Sequence, residues 1–203
     1  MQLRHATTIA ILTLGMLAAP AFAGYEYPVQ SPEIRNAFFL GQRADNTPGE
    51  FLSKYTQRIP QQDTGQYSIT EIGVLTPYAQ IVQRGAKDTP GDSEVQVETD
   101  LRAHPLPFVV QVTVVHDLIY TGDAGLIIPQ GPQRDFSIEL KQTQTLAPTG
   151  MTKSSFGGKR CPCGVVIKAK FDPAKITSTP LHIIVNTPDG WSVSADFDLN
   201  KLK

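Results

Sequence analysis

The sequence predicts a mainly β protein: an antiparallel β-sandwich, with an immunoglobulin-like topology as one option, in which a short two-helix arm follows a leader. Three observations predict this fold. Several segments after residue 61 alternate apolar and polar residues with a period of two. Turns rich in glycine and proline separate these segments at short intervals. The strand–helix–strand alternation of a parallel sheet is missing, and so is the Cys–Trp–Cys spacing of true immunoglobulin domains, because the two cysteines lie at 161 and 163.

Residues 1–23 have the layout of a secretory signal peptide. Arg4 and His5 open the segment, an uncharged apolar run follows from Ala6, and Ala21-Phe22-Ala23 forms an A-x-A cleavage site. An uncleaved membrane anchor is the rival interpretation. A spanning helix needs about 20 mainly apolar residues, however, and this run is shorter and is interrupted by Thr, Gly and Pro. We therefore expect cleavage after Ala23 and export to the periplasm or the cell exterior.

Residues 24–60 are predicted to form a helical arm that packs on the main domain. In its first start signal, Ser31-Pro32-Glu33, a hydroxyl can cap the helix, proline occupies the first turn and a carboxylate meets the positive end of the dipole. A second signal, Thr47-Pro48-Gly49-Glu50, has the spacing of a capping box. These signals predict helices over about 32–43 and 48–57. The buried face of the first helix is expected to consist of Ile34, Ala37, Phe38 and Gly41.

Alternation in the main domain, residues 61–203, predicts strands that each have one buried face. The segments with this pattern are 94–101, 136–141, 165–172 and 191–199. In the last segment Trp191 shares the parity of Val193 and Phe197, which predicts a core position for the indole. Residues 108–115 are apolar at both parities, which indicates a central strand covered on both sides.

Four further segments complete the predicted main domain. Residues 77–83 are expected to form another strand after a proline-initiated corner. The alternation slips by one residue between Ile69 and Ile72, which predicts a β-bulge. Residues 186–190 have the Pro and Gly of a hairpin loop. Residues 146–164 show the weakest pattern and are predicted to form a long loop.

The charge balance excludes some classes of partner. The chain has 18 Lys plus Arg against 19 Asp plus Glu, so it lacks the basic character of a nucleic-acid-binding protein. After the leader, no apolar run is long enough to cross a bilayer. The partners that remain are another protein or a component of the cell envelope.

The most distinctive motif is Cys161-Pro162-Cys163, which follows Lys159 and Arg160. Neighbouring cations lower the pKa of a thiol and so favour the thiolate, which is both the nucleophile and the metal ligand. The motif is compatible with a local disulfide, a soft-metal site or redox exchange. Copper(I) would suit two thiolates, although one C-x-C pair supplies only two ligands and a third would have to come from elsewhere.

The sequence gives no template for catalysis. It contains no G-x-S-x-G, G-x-x-x-x-G-K-[ST], G-x-G-x-x-G or H-E-x-x-H motif. We therefore expect no catalytic residue and no cofactor, and an enzymatic function is disfavoured. A hydrolase centred on an acidic pair or on His116, at the end of the valine-rich strand, is a third alternative.

The sequence therefore predicts an exported, non-enzymatic binding or envelope-interaction module. Arg35, Phe39 and Arg43 lie off the apolar face of the first predicted helix and are expected to provide part of a contact surface. The alternative function is a redox or copper-handling protein that uses Cys161 and Cys163.

Overall fold

A computed structural model describes residues 25, 27–60, 67–87, 89–116, 119–120, 126–127, 135–158, 161–176 and 180–202. The predicted signal peptide, residues 1–23, lies outside the described residues. Over the described ranges the chain is mainly β, with four α-helices and eleven strands. The helices are α1 (Ser31–Gly41), α2 (Thr47–Ser53), α3 (Pro77–Ala86) and α4 (Glu94–Ala103). The strands are β1 (Thr56–Arg58), β2 (Tyr67–Leu75), β3 (Phe108–His116), β4 (Ile119–Tyr120), β5 (Leu126–Ile127), β6 (Ser137–Lys141), β7 (Thr145–Leu146), β8 (Gly150–Gly158), β9 (Cys161–Phe171), β10 (Leu181–Asn186) and β11 (Ser192–Phe197).

The strands form two larger antiparallel sheets and one short pair. The first sheet has the strand order β1-β2-β3-β9-β8, and the second has the order β11-β10-β6-β7. Strands β4 and β5 pair with each other. The register of β2 on β3 shifts between Ile69 and Glu71, which confirms the predicted bulge. The predicted hairpin loop at 186–190 joins β10 to β11, and Gly190 there has a φ of 94°.

Apolar side chains of both larger sheets belong to one hydrophobic cluster. It includes Ile72 of β2, Val112 of β3, Ile167 of β9, Leu140 of β6 and Ile183 of β10, all fully buried. Alternate residues of β10 are buried, as the period of two predicts. Burial of a side chain of this size stabilises the fold by roughly 1.5–3 kcal/mol.

Strand β3 is central, as predicted, because it lies between β2 and β9. Its residues Phe108, Val110, Val112 and Val114 are fully buried on the core side. On the other side Val109 is also buried, whereas Gln111 and Thr113 are half-buried. The prediction of complete cover on both sides therefore holds at only one end of the strand.

The prediction of a strand over 94–101 is wrong, because these residues form α4. The Ser93 side chain caps this helix by accepting a hydrogen bond from the backbone N–H of Gln96 at 3.2 Å. Val97 is buried and Leu101, four residues later, packs against the same cluster, whereas Val95 is 62% exposed. Spacing of i, i+4 therefore describes the buried face better than alternation does.

The predicted strand at 77–83 is also wrong, because Pro77–Ala86 is the helix α3. The Thr76 side chain caps it by accepting from the backbone N–H of Ala79 at 3.1 Å, and Pro77 fills the first turn, where no donor is needed. The buried residues Ile81 and Val82 pack with Ile34 and Phe38 of α1. The corner proline thus starts a helix.

Two further predictions fail at the margins of the sheets. The predicted loop at 146–164 contains most of the hairpin of β8 and β9. All described side chains of β8 are exposed, so no buried parity marks this strand in the sequence. Trp191 is 50% exposed instead of buried in the core, because β11 begins only at Ser192 and the indole lies beyond the end of the sheet.

The helices of the predicted arm form close to where the sequence places them but end earlier, at Gly41 and Ser53. The predicted apolar face of α1 is buried. Helices α1 and α3 cross very closely: a Cβ atom added to Gly41 would lie 2.1 Å from the carbonyl oxygen of Val82. One added to Gly85 would lie 2.3 Å from the carbonyl oxygen of Phe38. Both glycines therefore allow backbone-to-backbone contact.

We expect the substitution Gly85→Ala to destabilise the chain by roughly 1–3 kcal/mol, because the new methyl group overlaps a backbone oxygen of α1. The matched control is Gly49→Ala in α2, where nothing lies within 4 Å of the added Cβ. Alanine should there be neutral or stabilising by up to about 1 kcal/mol. Urea unfolding measures both free energies. Equal stability of the two variants would contradict the close crossing.

Candidate functional site

The candidate site is a cavity of about 350 Å³ between the first turn of α1 and the last turn of α4. Its apolar lining includes Ile34, Leu101 and Leu106, and its rim carries Ser31 and Arg102. This combination of an apolar floor and a few polar groups is typical of ligand pockets, which usually start at about 300 Å³.

Local helix signals position the two walls of the cavity. Helix α1 begins at Ser31, and the Glu33 carboxylate accepts a hydrogen bond from the backbone N–H of Gln30 at 3.2 Å, which fixes the helix start. Helix α4 ends at Ala103, so Leu101 and Arg102 occupy its last turn. An arginine there is also favoured by the negative end of the helix dipole.

The rim is organised around the carboxylate of Glu98. Ser31 Oγ donates to Glu98 Oε1 at 2.5 Å, and the guanidinium of Arg102 contacts the same oxygen. The hydrogen bond from Ser31, followed by the charges of Arg102 and Arg35, holds the pKa of Glu98 below its ordinary value. Arg102 thus contacts this carboxylate directly, whereas Arg35 acts on it only through its charge.

A second cavity, of about 400 Å³, lies between α3 and α4 and shares Leu101 and Leu106 with the first. Arg84, one of its lining residues, donates from Nε and Nη2 to the two carboxylate oxygens of Asp92, at 2.9 and 2.6 Å. Arg84 Nη2 also lies 2.7 Å from Asp100 Oδ2. Its hydrogen bonds lower the pKa of both carboxyl groups. This network therefore links α4 and the preceding turn to α3.

The three predicted contact residues lie on the exposed side of the arm, but only one is close to the cavity rim. Arg35 acts electrostatically on Glu98. Phe39 is 48% exposed and packs edge-to-face on Phe38, with 6.1 Å between ring centroids. Arg43 lies beyond the C-terminal end of α1, and that end is itself about 9 Å from Arg35 along the axis at 1.5 Å per residue. Its hydrogen bond to Asp45, at 2.6 Å, is the largest cause that lowers the pKa of that carboxyl to about 2.

Sequence reasoning missed Ser31, Arg102 and Leu106 as site residues. The error follows from the prediction of a strand at 94–101, which placed no helix beside α1. Two signals could have corrected it: the Ser93 cap and the i, i+4 pair of Glu98 and Arg102.

The cysteine motif lies at the start of β9, next to the turn from β8. Gly158 pairs with Cys161 and Phe156 pairs with Gly164, so β9 holds one additional residue in this stretch. Such a β-bulge suits Pro162, which has no N–H to donate to a neighbouring strand. The side chains of Cys161 and Cys163 lie outside those that the structure describes. The disulfide, copper and redox interpretations therefore stay predictions.

The remaining predictions concern metal binding, catalysis and membrane crossing elsewhere in the chain. Among the described residues, no group of three or more His, Cys, Asp or Glu side chains is placed to hold a metal ion. His116 ends β3, and its side chain is not described. His182 Nδ1 lies 2.6 Å from Asp196 Oδ1, with both side chains exposed. Over the described ranges, no helix has both the length and the apolar character needed to cross a membrane.

Comparison of the chain with protein-family models, with curated proteins and with solved structures finds no match.

We expect the ion-pair network around Arg84 to make folding sensitive to acid. The pKa values of Asp92 and Asp100 lie below their ordinary value of 3.8, so the unfolded chain takes up protons first as the pH falls. The stability that these two carboxylates contribute above pH 3.8 is then lost as the pH falls through their folded-state pKa values. The Arg84→Gln variant should unfold at lower urea concentration at pH 7 and lose less stability between pH 5 and pH 2 than the wild type.

Arg58→Gln is the control for that measurement, because Arg58 is exposed and its Nε lies 3.7 Å from Glu71. Its urea midpoint should follow that of the wild type at every pH. Parallel pH profiles for Arg84→Gln and the wild type would contradict the linkage.

Proposed function

We propose that the chain is an exported, non-enzymatic binding protein whose two larger sheets stack as a β-sandwich and carry the binding site on their helices. The sandwich is supported by the hydrophobic cluster that draws side chains from both sheets. The immunoglobulin-like topology stays a prediction. The single observation that supports the binding function is the cavity between α1 and α4, with its apolar lining and its arginine at the rim.

The chemistry of the cavity defines the partner that it fits. Its volume of about 350 Å³ accommodates one or two apolar side chains. Arg102 lines the cavity, contacts the carboxylate of Glu98 and remains largely exposed, so an additional carboxylate beside the cavity would meet its guanidinium charge. We infer that the partner is a protein segment with an apolar side chain next to a carboxylate.

A labelled peptide tests this proposal. Fluorescein-Gly-Gly-Ser-Phe-Leu with a free terminal carboxylate should bind saturably in a fluorescence-anisotropy titration. The same peptide with an amidated terminus should bind at least about tenfold more weakly, because the charged contact is lost. The variant Arg102→Glu should lose the preference for the free carboxylate.

Arg58→Glu is the matched control, because it reverses the charge of an exposed arginine on β1 that does not line the cavity. It should bind both peptides as the wild type does. If the free and amidated peptides bind equally, or if Arg102→Glu and Arg58→Glu behave alike, the assigned site is wrong.

A redox or copper-handling function of Cys161 and Cys163 is the second proposal. It is supported by the β-bulge at the cysteine motif, because bulges re-aim side chains and are common next to functional sites. The neighbouring cations Lys159 and Arg160 favour the thiolate form on chemical grounds.

Thiol titration followed by Cu(I) competition tests the second proposal on the full chain. Two thiols should titrate after reduction, and the reduced chain should then take Cu(I) from a chromogenic chelator. The variants Cys161→Ser and Cys163→Ser should each lose this transfer, whereas Ser154→Ala on β8 should retain it. If the reduced chain takes no Cu(I) from the chelator, the copper-handling function is ruled out.

A further inference from the structure

The last strand of the five-stranded sheet, β8, is an open edge among the strands that the structure describes. It runs over nine residues, Gly150–Gly158, and pairs with β9 on one side. All of its described side chains are exposed, including the apolar Met151 and Phe156. An edge strand of this length offers a row of backbone donors and acceptors to an incoming strand.

The charge of the β8–β9 hairpin restricts which strand can be added. The sequence from Gly150 to Phe171 contains five Lys or Arg residues and no Asp or Glu. Pairing of this edge with the same edge of a second copy would bring like charges together, which is destabilising. An acidic segment, in contrast, would meet complementary charge.

Two lysines of β9 are accessible across β8. Lys168 pairs with Thr152, and Lys170 pairs with Gly150, so these residues share the outer face of the sheet. Both lysines are exposed, and small residues stand between them and the open edge. A strand added to β8 would lie about 9.6 Å from β9 at the usual spacing of 4.8 Å. Carboxylates on the outer face of that strand could therefore meet the lysine side chains over Thr152 and Gly150.

On the core-facing side of the sheet, Lys153 makes the β8 edge selective. It pairs with the buried Ile167, so it points towards the core side at the rim of the sheet. An inward-pointing lysine discourages the addition of an apolar strand, because the strand would bury the charge. Lys153 Nζ lies 2.7 Å from the exposed carboxylate of Asp135, so its charge already has a partner within the chain.

We propose that β8 binds an extended acidic protein segment as a sixth strand, with its acidic side chains on the outer face of the sheet, towards Lys168 and Lys170. This surface is separate from the cavity between α1 and α4. Backbone hydrogen bonds would supply affinity, and the lysines would supply selectivity.

Labelled heptapeptides test the proposal on the full chain. The probe alternates Glu with Thr and Val and carries an amidated terminus, so that it lacks the free carboxylate offered to the cavity. It should bind saturably in anisotropy measurements, whereas its Lys-for-Glu counterpart should not bind. Amide hydrogen exchange of β8 should slow when the acidic peptide is present.

Two variants and one modified peptide make the test discriminating. The double variant Lys168→Glu, Lys170→Glu should weaken binding by at least about tenfold. Lys141→Glu with Lys175→Glu applies the same charge change on exposed lysines outside this sheet and should leave binding unchanged. A probe with alternate backbone nitrogens methylated keeps its charge but loses donors, and it should also bind at least about tenfold more weakly.

Each alternative outcome overturns the proposal. Equal binding of the methylated and unmethylated acidic peptides would show a charged patch without strand addition. Equal effects of the two double variants would show a response to net charge alone. Absence of saturable binding would show that the edge does not take an acidic strand. None of these results affects the cavity, which is tested with a different peptide and with a substitution of Arg102.

Discussion

The close crossing of α1 and α3 is the constraint on which the helical side of the molecule depends. Gly41 and Gly85 allow the two backbones to touch, so α1 lies directly on α3. This position brings Ser31 to within hydrogen-bond distance of Glu98 on α4. The cavity between α1 and α4 exists because three helices meet in this way. A larger residue at the crossing would move the wall that carries Ser31 and Ile34.

Sequence patterns predict those parts of the fold in which one buried face repeats without interruption. Alternate burial along β10, the bulge near Ile69 and the hairpin at 186–190 follow directly from residue order. The segment at 94–101 is ambiguous because Val97 and Leu101 satisfy both a two-residue and a four-residue spacing. Packing of Val97 against α1 selects the helix, and this contact involves residues far apart in sequence.

The same reasoning explains which parts of the candidate site could be predicted. Arg35 can be predicted because an amphipathic helix shows its exposed face in the sequence. The partners Arg102 and Leu106 could not be assigned, because their proximity to α1 depends on tertiary packing. Strand β8 escapes detection for another physical reason: an edge strand that buries none of its described side chains leaves no periodic apolar signal.

The two proposed binding surfaces use charge in different ways. Beside the helices, the cations Arg84 and Arg102 contact carboxylates on α4 or the turn before it, and the network around Arg84 holds helices together. On the β8–β9 hairpin, Lys168 and Lys170 stand on strands without any acidic residue. Strand β8 lies three positions from β2, which leads into α3, a separation of about 14 Å across the sheet. Because this distance exceeds the Debye length of about 8 Å at physiological salt, a partner at one surface should leave the charges at the other largely unaffected.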